Sequence, residues 1–412
     1  MSRFLDTLRE IFFYLRQYKS RTAMTMFGIV WGTLTVILLL AFGVGVKKSI
    51  SKSMHGMGEG IVIAWPGSTS MPFEGYGRGR SIRVSDDEVE LLRREVSNIQ
   101  YISPEYSQWN VPIRVGEKNI KPNISGIIPE YNLMRNIWPD EGGRWMNDID
   151  LEERRRVVFL GDELRDFLFG EGANAIGQYV YIGETPFIVI GVLKPKTQNS
   201  SYSSRDANRA FIPASTFKSL FGYLYVSNFL YQPRDARLGE ATKKQVYQVF
   251  SKRYKFHPDD EETLGIWDTS EMEKFIIYFS LGFNGFMGLI GAITLIVGGI
   301  GLANIMYVVV QERTREIGIR RSIGAKQRHI MSQFVMEAFI ILGFSAILGF
   351  LLAVVLIKLV AMLPIEDYVG IPELNMTVAL VTVAILGVIG FFAGFFPARR
   401  AAKLDVVDCL RY

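Results

Sequence analysis

Four stretches of this chain are long and apolar enough to be helices in contact with lipid, and their spacing along the sequence is uneven. They are Thr22–Val46, Phe275–Val310, Phe334–Leu363 and Met376–Pro397. Each reaches or exceeds the roughly 20 residues that a helix needs to cross the ~30 Å hydrocarbon layer. Lipid offers the backbone no hydrogen bonds, so such runs must satisfy their own N–H and C=O groups as α-helices. The first run is separated from the second by residues 47–274, and the last three follow closely on one another. The layout is therefore one span, a large insert, then three spans. A mean hydropathy of +0.18 fits that mixture. Thr22–Val46 is longer than the apolar centre of a signal peptide and continues into Lys47 and Lys48, so it reads as an uncleaved anchor.

Lysine and arginine set the orientation. Residues 1–21 form an amphipathic helix with Phe4, Leu8, Ile11, Phe12 and Leu15 on one face, suited to the membrane surface. This flank, the segment 311–330 and the tail 398–412 are basic. The connector Pro364–Leu374 carries Glu366, Asp367 and Glu373 and no Lys or Arg. By the positive-inside rule both termini are cytoplasmic and residues 47–274 lie outside, in a multi-pass protein of the inner (plasma) membrane. The net charge of +5 would also suit nucleic acid. Because the basic residues flank the apolar runs, topology accounts for them, and no nucleic-acid partner is expected.

The insert has the composition of a folded extramembrane domain, with five of the 6 Trp (65, 109, 138, 145 and 267) and most of the prolines. Ser85 to Glu88 is a capping box opening a helix that runs to about Ser97. Strands are expected at Ile61–Pro66, Tyr101–Gln108, Asn110–Gly116, Asn119–Ile128, Val157–Leu160, Tyr179–Ile182, Pro186–Val192 and Ala210–Pro213. Helices are expected at Glu130–Ile137, Asp162–Phe169 and Arg237–Lys252. Gly67–Arg80 and Lys194–Arg209 are polar and rich in Gly or Ser, hence loops expected to be mobile. The fold class is a mixed membrane protein: four transmembrane α-helices, and a large α+β extracytoplasmic domain of two lobes between the first and second. The inserted lobe covers about 141–209.

Within the membrane part, Gly28 and Gly32 form a small-xxx-small pair. Gly285, Gly288 and Gly291 recur every three residues on the second run, which at ~54 Å exceeds the bilayer and either tilts or projects outward as a stalk. These glycines mark helix packing or a dimer contact. Glu337 and Lys358 lie near the ends of the third run and are read as snorkelling charges. Between the second and third runs, QERTREIGIRRSIGAKQRHI has helical spacing. Glu312, Glu316 and Arg320 are four apart on one face, and Gly324 ends the helix.

The chemistry of catalysis is missing. GxSxG, HExxH and CxxC do not occur, and His55, His257 and His329 are far apart, so neither a metal nor a catalytic site is expected. The single Cys409 permits no intramolecular disulfide. The dipeptide Gly-Lys occurs nowhere, so the chain contains no P-loop.

Layout and motifs together resemble the FtsX-like permeases of ABC transporters with a MacB-like periplasmic domain, the type VII or mechanotransmission group. Four stretches carry the likeness: SRTAMTMFGIVWG followed by VILLLAFGVG; GRW, RRVVFLGDELRDFLFG, AIGQYVYIG and TPFIVIGVL in order; ERTREIGIRRSIGAKQRHIMSQFVMEA; and GFFPARRAAKLDVVDCLRY. Val406 and Asp408-Cys409 depart from the family's Pro and Glu-Ala. The resemblance implies that the 311–330 segment is a coupling helix docking on a cytoplasmic ATPase, with Glu312, Arg313, Glu316, Ile317, Arg320, Ile323 and Gly324 at or near the contact. It implies a separate ATPase subunit that holds ATP and Mg, this chain binding no cofactor. A second permease completes a homo- or heterodimer, and a periplasmic adaptor and outer-membrane duct are further partners it admits. ATP hydrolysis would then move the periplasmic domain and drive efflux or export. The alternative is an FtsX-like regulator that activates a cell-wall hydrolase or senses a peptide.

Overall fold

The structure, a computed structural model, describes residues 19–363 and 370–403. The amphipathic helix at 1–21 (but for its last residues), Glu366 and Asp367 of the connector, and the tail from 404, with Val406, Asp408 and Cys409, lie outside the described residues. The chain divides into two compact units, residues 1–49 with 277–412, and residues 50–276.

Helix α1 (Lys19–Met57) opens the described chain. The 50–276 unit then runs β1 (Val62–Pro66), α2 (Asp86–Glu95), β2 (Ile99–Gln108), β3 (Ile113–Val115), β4 (Lys118–Ile120), β5 (Asn123–Ile127), α3 (Tyr131–Arg135), α4 (Asp148–Glu152) and β6 (Val157–Leu160). It continues with α5 (Asp162–Phe169), β7 (Tyr179–Ile182), β8 (Thr185–Val192), β9 (Arg209–Pro213), α6 (Ala214–Phe221), β10 (Asn228–Pro233), α7 (Gly239–Tyr254) and β11 (Leu264–Asp268). All 11 strands join in one sheet, in the order β11-β1-β10-β2-β5-β9-β6-β8-β7-β3-β4.

Strand β2 joins two ladders. Ile99–Glu105 pair antiparallel with β10, and Tyr106–Gln108 pair with β5. The second ladder draws on 106–127 as well as 157–213, so residues 141–209 supply its middle. It mixes parallel pairs, β5 with β9 and β6 with β8, with antiparallel ones.

Both faces of the middle of this sheet are covered, which explains strands such as β5, β6 and β9 that are buried at every position, whereas β7 near the edge alternates exposed and buried. Val62, Val158, Ala210 and Phe229 face one core with Leu92 of α2, Leu164 of α5, Phe217 of α6 and Phe250 of α7. Their neighbours Ile63, Phe159, Phe211 and Leu230 face the other, beneath Tyr131, Met134, Trp145 and Tyr202.

Local chemistry sets several boundaries. The capping box forms: the Ser85 N–H donates to Glu88 Oε2 at 2.9 Å. The run expected as one strand over 119–128 is two, β4 ending at Ile120 and β5 beginning at Asn123, because Pro122 has no N–H to give a ladder. Neither polar loop is loose. Asp260 accepts from the Ser70 N–H (2.8 Å), the Ser70 hydroxyl (2.7 Å) and the Met71 N–H (3.0 Å), pinning the 67–80 excursion. Burial pushes the Asp260 carboxyl up, and these hydrogen bonds outweigh it and lower it. In 194–209, Gln198, Asp206 and Arg209 are buried.

In the other unit, α8 (Thr269–Glu312), α9 (Thr314–Ser322), α10 (Gln327–Ala361) and α11 (Met376–Ala402) follow. Helices α1, α8, α10 and α11 are long and apolar enough to cross a membrane. Several outrun their apolar cores. Helix α11 passes through Pro397, where the sequence suggested a stop, and continues to Ala402; the ring removes one backbone donor without ending the helix.

The glycines divide into two sets. A Cβ on Gly28 would lie 3.6 Å from the Gly298 Cα, one on Gly32 2.9 Å from Leu295, and one on Gly291 2.7 Å from Val36. These three let α1 and α8 approach within the chain. Among the described residues, nothing lies within 4 Å of a Cβ placed on Gly285 or Gly288. Lys358 is exposed, but Glu337 is only 4% exposed, which corrects its reading as a snorkelling charge.

Candidate functional site

The nine-residue helix α9 is set off from α8 at Arg313, whose backbone (φ −92°, ψ 11°) leaves the helical region. At its other end Gly324 takes φ +101°, and the Ala325 N–H reaches back to the Arg320 carbonyl at 3.0 Å. A left-handed residue of this kind suits glycine and closes the helix. The segment is therefore a short helix with a break at each end, shorter than the 311–330 stretch.

One side of α9 is seated. Ile317 is 3% exposed and joins Met306, Val310, Ile330, Phe334, Ala338, Ala398 and Ala401 in a continuous core. Arg313 is also buried, and its Nη1 donates to Glu337 Oε1 of α10 at 2.8 Å. A buried carboxylate needs such a partner, because an isolated buried charge is strongly unfavourable. Gln333 donates to the same oxygen at 3.4 Å and accepts from Arg320 at 2.8 Å. Arg320 also pairs with Glu316 at 2.5 Å, the four-residue spacing seen in the sequence. A chain of contacts thus runs Glu316–Arg320–Gln333–Glu337–Arg313, tying α9 to the first turns of α10.

The other side is open. Glu312, Arg315, Ile319, Ser322, Ile323 and Gly324 are exposed, and Ile323 is 81% exposed. Positions 315, 319 and 322–323 share one helical face. The seven expected contact residues accordingly separate: Arg313 and Ile317 face inward, Glu316 and Arg320 are half-buried in the network, and Glu312, Ile323 and Gly324 face outward. Sequence spacing did not single out Arg315, Ile319 or Gln333, and it read Glu337 as a snorkelling charge rather than as the partner of Arg313. Among the described residues no cluster of His, Cys, Asp and Glu is arranged to hold a metal.

The architecture defines a class: a multi-pass membrane protein with a large α/β domain inserted between its first and second membrane helices. The family model for the MacB-like periplasmic core domain matches residues 22–249, and that for the FtsX-like permease C-terminal region matches 288–406. The chain belongs to the family with the MacB-like periplasmic core domain, joined to an FtsX-like permease region. Relatives include a macrolide export ATP-binding/permease protein of Bdellovibrio bacteriovorus, 29% identical over 99% of this chain and 62% of the relative. A protein of the same description from Brucella melitensis is 30% identical over 95% and 58% of the two chains. A pyoverdine export ATP-binding/permease protein of Pseudomonas putida is 30% identical over 98% and 59%. The chain thus spans about 60% of the length of these relatives. The solved periplasmic region of MacB from Actinobacillus actinomycetemcomitans is similar over 55% of this chain and 97% of its own, at 19% identity and a TM-score of 0.43.

Proposed function

We propose that this protein is the permease part of an ABC exporter and that α9 docks on a separate cytoplasmic ATPase subunit. The observation that carries this is the division of α9 into a seated side and an exposed side, where Arg315 and Ile319 stand with Glu312, the last residue of α8, and Ile323, just past the end of α9. A face with charges of both signs and two apolar anchors suits a protein partner, the charges fixing register and the isoleucines entering a groove. The motif match and the lack of any P-loop in these 412 residues support an ATPase outside them. ATP binding there would press on α9, move α8 and α1, and so move the 50–276 domain, expelling cargo from the periplasmic side. Two permeases would act together. Gly285 and Gly288 remain available to a second copy, since no side chain among the described residues occupies them.

The test is purification of the intact protein in mild detergent, with co-purifying chains identified and ATP hydrolysis measured. Wild type should bring down a P-loop ATPase. Ile319→Asp with Ile323→Asp should lose it while inserting normally in the membrane. A stable wild-type complex without an ATPase would refute the reading. A co-purifying wall hydrolase would redirect the output of the domain from export to regulation.

A further inference from the structure

The sheet face covered by residues 129–146 and 194–208 carries a polar row in the middle of an apolar core. The neighbouring strands β10, β2, β5 and β9 set Asn228 opposite Glu105 and Asn123 opposite Arg209. Fully buried Arg209 donates from Nε to Asn123 at 3.0 Å and from Nη2 to Glu105 and Ser125. Glu105 also accepts from Tyr131 (3.2 Å), Asn228 (2.7 Å) and Tyr202. Above this row, fully buried Arg135 lies 4.8 Å from the Tyr202 ring and donates to Asp206 at 2.7 Å. Lys196 donates to the other Asp206 oxygen at 2.8 Å.

The charges do not balance among side chains. Arg135, Lys196 and Arg209 face only Glu105 and Asp206, leaving one positive charge in excess. Buried excess charge is strongly unfavourable unless something answers it. Carbonyls at two helix ends answer part of it. Arg135 Nη1 donates to the Met57 carbonyl, the last residue of α1, at 2.7 Å, and Asn136 Nδ2 to the His55 carbonyl at 3.3 Å. Lys196 donates to the carbonyls of Arg135 (2.8 Å) and Asn136 (3.3 Å) at the end of α3. Helix C-terminal carbonyls carry partial negative charge, so these hydrogen bonds offset part of what the carboxylates lack. Further fastenings surround this point. The Asn199 N–H donates to Ser53 Oγ at 2.8 Å, and a Cβ on Gly56 would lie 2.1 Å from the Thr197 carbonyl oxygen.

A hinge at the end of α1 would need its carbonyls in water and room around its glycines. Here both are taken. We propose that this buried node is the clasp by which the last turn of α1 moves the sheet, with Arg135 as its positioning residue. The inference rests on the coupling reading above for the source of the motion. Arginine is required because one planar fork must reach Met57 and Asp206 in different directions while lying on Tyr202.

The test is hydrogen exchange on the full chain with its co-purified ATPase in lipid nanodiscs, with and without ATP. In wild type, ATP should alter exchange at 314–322, at Ser53–Met57 and in β2, β5 and β9. Arg135→Gln should speed exchange at Ser53–Met57 by about ten- to a hundredfold, the worth of a hydrogen bond to a charged group. It should keep the ATP response at 314–322 and lose it in the three strands. A merely structural Arg135 would lower the melting temperature yet still pass the response, and that result overturns the proposal. Should Arg135→Gln not fold, Ser53→Ala with Asn136→Ala loosens the rim alone and is read in the same way. If wild type shows no response at 314–322, the coupling reading fails. Unchanged exchange at Ser53–Met57 in the variant would separately refute the clasp.

Discussion

Replacing Glu337 by Gln tests whether the tie between α9 and α10 is needed to transmit force. The Arg313–Glu337 pair is short at 2.8 Å, and the two side chains are only 6% and 5% exposed. Removing one partner of a buried pair costs about 3–5 kcal/mol, because the other charge stays buried. Glutamine keeps the shape and one acceptor, so the expected cost is nearer that of one charge-assisted hydrogen bond, about 1.5–3 kcal/mol. That loss falls at the break between α8 and α9 and, on the docking reading proposed above, should let α9 swing without freeing Ile319 and Ile323 from the ATPase. ATP hydrolysis by the purified complex in nanodiscs should therefore fall about tenfold, for a lost 1.4 kcal/mol of coupling, with ATPase recovery unchanged. Thermal unfolding should shift downward as well. Arg313→Met with Glu337→Leu should recover most of the stability, because a well-packed apolar pair replaces a buried ion pair at little cost. A double-mutant cycle reads the coupling directly. If Glu337→Gln melts and hydrolyses ATP as wild type does, or if the double variant loses the sum of the two singles, the buried tie is not what positions α9.

Other perturbations probe separate parts of the molecule. A Cβ on Gly45 would lie 2.1 Å from the Ile371 carbonyl oxygen, so Gly45→Ala should destabilise by about 1–3 kcal/mol, read by thermal unfolding in detergent. Gly291→Ala should lower stability, whereas Gly285→Ala and Gly288→Ala should leave the monomer's melting unchanged; a loss of cross-linked dimer in the latter two would place the second permease on that face. Burial pushes the Asp206 carboxyl up, but Arg135, Lys196 and Arg209 outweigh it and hold it at about 2. Its folded pKa is depressed, so its stabilisation is present above the unfolded value near 4 and lost as pH falls toward 2, about 2 kcal/mol in all. Asp206→Asn should flatten that part of the pH–stability curve.

Contacts close in sequence were readable, and contacts far apart were not. The Glu316–Arg320 pair and the Ser85–Glu88 cap follow from helical spacing, and the four membrane helices from length and apolarity. Arg313 and Glu337 lie 24 residues apart, in segments that read separately as a basic loop and a greasy span. The stretch 194–209 looked mobile because Ser and Asn dominate it. Its order comes from Lys196, Gln198 and Asp206 meeting Arg135 and Arg209 across the sheet face, which no local pattern encodes. Strand β9, RAFIP, is buried at every position, so periodicity could not say that Arg209 turns toward a polar row. Gly28 and Gly32 carried a packing signal, but spacing alone could not distinguish a neighbour in the same chain from a second copy.

The domain's entry and exit strands lie side by side. Val62 of β1 sits opposite Asp268 of β11, and the Thr269 N–H donates to the Ile61 carbonyl at 3.0 Å. Directly paired residues on neighbouring strands stand about 5 Å apart at Cα, a gap that a turn of a few residues closes. Some 200 residues therefore form a loop of chain whose two ends are pinched together. Such a module is exchangeable: a relative's domain with the same pinched ends can be spliced between Ile61 and Thr269 without changing what the helices must span. On the export reading proposed above, cargo specificity can then diverge within this module while the helices stay fixed.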